Sequence, residues 1–181
     1  MKKDTQCVHS GTYVDLKTKG INTPIFTSSS FEYLDIPENV YPRYFNTPNQ
    51  KTVIDKLCAL EIARHLQANA LIRKVNYPGL ADHPGFDIAC KQMRAFGGML
   101  SFELDDQKID PHGFLRKLNL IRPALSLGGV ETIICAPVAT SHAKLTDKQR
   151  AELGVTESLM RLSVGIEDAS DIIADIEQAL H

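Results

Sequence analysis

The residue types most able to do chemistry by themselves are spaced against it in this chain. Its four cysteines, Cys7, Cys58, Cys90 and Cys135, lie far apart and form no C-x-x-C pair. Neither a redox dithiol nor a zinc site is indicated, and four ordinary buried thiols are expected. The six histidines, His9, His65, His83, His112, His142 and His181, include no H-x-x-x-H pair that would set two imidazoles on one helical face, so no metal is assigned. Arg161 opens the run Arg161-Leu162-Ser163-Val164-Gly165. An arginine leading an alternating apolar run belongs more often to the rim of a sheet than to an anion receptor, so its type alone assigns it no role.

The bulk properties bound what could position such residues. With 181 residues, one sizeable core or one core plus an arm is possible, and two large domains are not. A content of 43% hydrophobic and 23% charged residues makes a packed globular fold the default. The net charge of -2, with basic residues scattered, leaves no footprint for nucleic acid or an anionic membrane. No run is long and apolar enough for a signal peptide or a membrane span, so a cytoplasmic location is expected.

Along the chain, the first forty-odd residues read as an extended arm. Gly11, Gly20, Asn22, Pro24, the hydroxyl run 27–30 and Pro37 interrupt each apolar run before it completes a helical face. Such an arm must lie on its own downstream domain or on another subunit to bury Ile25, Phe26, Phe31 and Tyr33. A helix should begin near Asn46-Thr47-Pro48, where a side-chain cap precedes a proline, and no breaker follows until about Asn76. Within it Val53, Leu57 and Leu60 mark one apolar stripe, and Ile62, Leu66 and Ala70 another. From Leu57 to Ile62 the rotation is about 140° at about 100° per residue, so the stripe changes face near Glu61. A helix wrapped by core on two sides would do this, as would two helices of a longer ancestor joined out of phase.

Beyond this helix, strands are expected at 73–76, 99–104, 124–127, 131–136 and 160–164, and helices at 86–96 and 112–120. In 99–104, Leu100, Phe102 and Leu104 fall on one side and Ser101 and Glu103 on the other. The last helix is capped by Asp168, with Asp171 in its first turn and an apolar stripe of Ile172, Ile173, Ile176, Ala179 and Leu180. This order implies an α+β layer, a small mostly antiparallel sheet with helices on one face.

Two stretches resemble the γ-family of pyridoxal-phosphate (PLP) enzymes of cysteine and methionine metabolism, the transsulfuration group. Near the N-terminus these are His9-Ser10-Gly11, Pro24-Ile25 and Tyr41-Pro42-Arg43-Tyr44-Phe45-Asn46-Thr47-Pro48, similar to the family's arm with its Y-x-R-x-x-N signature. Further on, Tyr77-Pro78-Gly79-Leu80, Phe96-Gly97-Gly98-Met99-Leu100-Ser101-Phe102, Ser126-Leu127-Gly128-Gly129-Val130-Glu131 and Arg161-Leu162-Ser163-Val164-Gly165-Ile166-Glu167-Asp168 resemble the family's C-terminal domain. The resemblance implies that domain of a fold-type I PLP enzyme, over 62–181, preceded by the family's arm and first helix over 1–61. The large central PLP domain that should separate them is absent, and the join falls where the apolar stripe changed face.

The same resemblance implies a chemistry and removes part of it. Family members form an internal Schiff base on a lysine in an S-x-T-K motif, with a carboxylate on the pyridine nitrogen, and the motif does not occur here. The nearest imitation, Lys144 in Ser141-His142-Ala143-Lys144, belongs to the C-terminal domain's own pattern, so no catalytic residue is assigned. By resemblance Tyr41 and Arg43 would bind the cofactor phosphate of a neighbouring subunit, Arg161 would receive the substrate's α-carboxylate, and Ser126 would line that pocket. Leu125 stands where many cystathionine-handling members carry glutamate, which looks more like methionine γ-lyase.

The family's activity is carbon–sulfur cleavage or γ-replacement on sulfur amino acids such as cystathionine, homocysteine or methionine. This chain alone is expected to be inactive and to bind pyridoxal phosphate weakly or not at all. The alternatives are a non-catalytic partner donating its arm to a full-length homologue, a small α+β module with a new binding role, and a seam left by a misassembled coding sequence. Surfaces once covered by a central domain imply self-association or poor solubility.

Overall fold

The computed structural model describes Lys2, Thr5, the backbone of two short strands in the arm, and residues 58–181 apart from 94, 126 and 128. The arm strands, β1 (Tyr13–Val14) and β2 (Ile21–Asn22), pair antiparallel. The expected helix start at 46–48 and the seam-side residue Leu57 lie outside the described residues. From Cys58 to Ala68 a helix, α1, runs unbroken through Glu61 and Ile62. Ala59, Ile62, Ala63 and Leu66 are buried along one stripe, at the i, i+3, i+4, i+7 spacing of a single helical face. Over 58–68 the helix therefore keeps one phase, and Ala70 is exposed beyond its end.

Five strands follow in one sheet: β3 (Ile72–Asn76), β4 (Met99–Leu104), β5 (Arg122–Pro123), β6 (Ile133–Cys135) and β7 (Leu159–Ser163), in the order β3-β4-β7-β6-β5. Every pairing is antiparallel except β5 with β6. The mostly antiparallel α+β sheet expected from the sequence is thus the observed one. Alternation decides its faces. Leu100, Phe102 and Leu104 of β4 and Met160 and Leu162 of β7 are buried beneath α1, the helix α3 (Pro111–Lys117) and the C-terminal helix α5 (Ala169–Leu180). Phe102 meets Phe114 of α3 edge to face, with ring centroids 6.2 Å apart. α1 packs on β3 and β4 and against α5, which in turn packs against α3.

Several boundaries differ from the sequence reading, each for a local reason. Strand β5 lies at Arg122–Pro123 rather than 124–127, because Arg122 N–H donates to Thr132 O at 3.3 Å and Ala124 N–H to Ile134 O at 2.9 Å. Leu125 and Leu127 then leave the ladder and are 68% and 57% exposed. Helix α3 is capped by Asp110, which accepts from His112 and Gly113 N–H, and stops at Lys117. The amides of Asn119, Leu120 and Ile121 turn instead to the buried Asp175 carboxylate of α5, at 2.9, 3.0 and 2.8 Å. Helix α2 (Phe86–Gln92) is shorter than the expected 86–96 and buries only Ala89, so Cys90 on it is exposed. Cys135 is buried and Cys58 half-buried, so the expectation of uniformly buried thiols fails at Cys90; Cys7 lies outside the described residues. A helix absent from the sequence reading, α4 (Asp147–Glu152), starts on a capping box between Thr146 and Gln149.

Lys2 and Thr5 contact the start of α5. Lys2 N–H donates to Asp171 at 2.5 Å, the Lys2 ammonium reaches Asp168 at 3.1 Å, and Asp168 N–H donates to Thr5 Oγ at 3.0 Å. The Ser170 hydroxyl and N–H, together with Lys2, hold the Asp168 carboxyl below its ordinary range. No described helix is long and apolar enough to cross a membrane.

Candidate functional site

Arg161 stands at the middle of β7, the central strand of the sheet. Its register neighbours are Ser101 of β4 and Cys135 of β6. Alternation puts these three on the face opposite the helices, since their neighbours Leu100, Ile134, Met160 and Leu162 are buried in the core. Arg161 is half-buried, its Nε enclosed, and the residue is engaged rather than free. Next along this face, Asn76 Nδ2 donates to Ser101 Oγ at 3.3 Å.

The strand ends nearest this face are tied together by turns that the sequence presents as separate motifs. After β7, Val164 N–H donates to Gly98 O at 2.8 Å and Ile166 N–H to Val130 O at 2.9 Å. Gly165 N–H donates to Thr132 Oγ at 2.9 Å. Glu167, 1% exposed, accepts from Thr132 N–H at 2.7 Å and from the Thr132 hydroxyl at 2.8 Å. A Cβ on Gly165 would collide with the Val130 carbonyl and the Glu167 carboxylate, so only glycine lets these backbones approach.

At the neighbouring corner, the buried Tyr77 donates its hydroxyl to Gly97 O at 2.8 Å and meets Phe96 edge-on. Burial pushes the Tyr77 phenol up from its ordinary value. A Cβ on Gly79 would come within 2.7 Å of both the Phe96 and Tyr77 rings. Gly97 itself has φ +78, in the left-handed region that favours glycine.

Of the four site residues expected from the sequence, the described structure places only Arg161. Tyr41, Arg43 and Ser126 lie outside the described residues. Sequence reasoning gave no role to Thr132, Glu167 or Asp175. A Gly-x-Glu after a strand was the available signal for Glu167, but its partner is 35 residues away. Among the described residues, no group of three His, Cys, Asp or Glu side chains could hold a metal ion.

Comparison with known proteins places this geometry in a family. The model for the Cys/Met metabolism PLP-dependent enzymes matches residues 50–181. The chain is 46% identical over 122 residues to a cystathionine β-lyase of Lactococcus lactis subsp. cremoris, covering 67% of this chain and 32% of that one. It is 42% identical over 132 residues to an L-methionine γ-lyase of Fusobacterium nucleatum, covering 73% and 31%. The crystal structure of a cystathionine γ-synthase from Xanthomonas oryzae pv. oryzae in complex with cystathionine superposes with a TM-score of 0.67 at 38% identity, over 72% of this chain and 34% of that one. The chain thus spans about a third of the length of the curated relatives it matches.

The described residues do not fit the cofactor that this family carries. A Schiff-base lysine needs an amine withdrawn from water beside the cofactor's anchoring groups. Each described lysine, Lys2, Lys74, Lys91, Lys108, Lys117, Lys144 and Lys148, is exposed. Lys144 sits in a surface turn whose Ser141 and His142 side chains bond each other at 2.8 Å. A cleft of about 180 Å³ lies along the edge strand β3, lined by residues that include Gln67, Lys74, Asn76 and His83. It is smaller than the roughly 300 Å³ at which small-molecule sites begin, and β4 separates its strand from the one bearing Arg161.

Proposed function

Because this chain belongs to the Cys/Met metabolism PLP-dependent enzymes, we propose that it carries the substrate-carboxylate half of a carbon–sulfur lyase or γ-replacement site and is inactive alone. The supporting observation is a contrast in the donor set: Arg161 is held at the centre of the sheet, while every described lysine is at the surface. In this reading Arg161 receives the α-carboxylate of a sulfur amino acid through its fork of donors, and Ser126 lines the same pocket. Residues 1–61 are the family's arm and first helix, 62–181 its C-terminal domain, and the central domain is missing between them.

The test is an absorbance spectrum of the purified chain after pyridoxal phosphate addition and gel filtration, with an assay for keto-acid release from L-methionine and cystathionine. No retained band and no keto acid are expected. A retained band abolished by a single lysine substitution would overturn the inactivity.

A second reading follows from the intact Tyr41-Pro42-Arg43 segment. The arm donates Tyr41 and Arg43 to the cofactor phosphate of a full-length homologue, with which this chain assembles. Co-purification with such a homologue, and loss of the effect on its activity in Arg43→Ala, would establish it.

A further inference from the structure

We draw no further inference here: the strongest candidate, the small cleft along the edge strand β3 between the end of α1 and residues 82–84, carries nothing because its charged side chains, Arg73, Lys74 and Asp82, are exposed and nothing in the structure shows what fills it.

Discussion

The two faces of the sheet are built for different ends. On one, Leu100, Phe102, Leu104, Met160 and Leu162 are buried under three helices. On the other, Ser101, Glu103, Leu159 and Arg161 are half-buried, and polar cross-links at the strand ends do the ordering. The first face gains its free energy from apolar area, which is non-directional. The second gains geometry from hydrogen bonds, each modest in net stability but strict in direction. A substitution should therefore be felt as lost stability on the helical face and as lost shape on the other.

The largest break in that contrast is Phe102→Ala, which removes the ring packed on Phe114. It should cost about 3–5 kcal/mol in urea unfolding. Gly165→Ala comes next, at about 3 kcal/mol, since the new methyl meets backbone and a buried carboxylate; its damage should concentrate in hydrogen exchange over 124–132. Asp175→Ala, which strands three amides in the turn after α3, should cost about 2–3 kcal/mol. By contrast Arg161→Gln should change stability by about 1 kcal/mol or less in the same urea unfolding.

The smallest effect is a pH dependence on the helical side. Glu177 is opposed by desolvation, but the His65 imidazole at 2.6 Å and the Asn69 amide at 2.8 Å outweigh it and lower its pKa from 4.5. A depressed carboxylate contributes stability above its unfolded pKa and loses it as pH falls through the folded value. Stability should thus be flat above about pH 5 and fall below 4.5, with Glu177→Gln removing about 0.5 kcal/mol of that slope.

Much of the fold was legible because its signals are local. The strand at 99–104 and the last helix from Asp168 were read correctly, since alternation and a cap declare themselves within a few residues. The Thr146-x-x-Gln149 capping box was equally local and was overlooked. Cys90 was misjudged because composition says nothing about which face of a short helix is left uncovered. The strand placed at 124–127 failed for a different reason. Leu125 and Leu127 alternate like a strand, yet the ladder is claimed two residues earlier by Thr132 and Ile134.

The sequence by itself determined the family, the succession of the five sheet strands and the absence of the S-x-T-K lysine motif, because motifs and periodicity are properties of neighbouring residues. Only the tertiary structure decided that Glu167 meets Thr132, that Asp175 ends α3, and that Arg161 faces away from the helices. These are contacts between residues 35 or more apart in the chain, and sheet register and packing bring such partners together without leaving a local pattern to read.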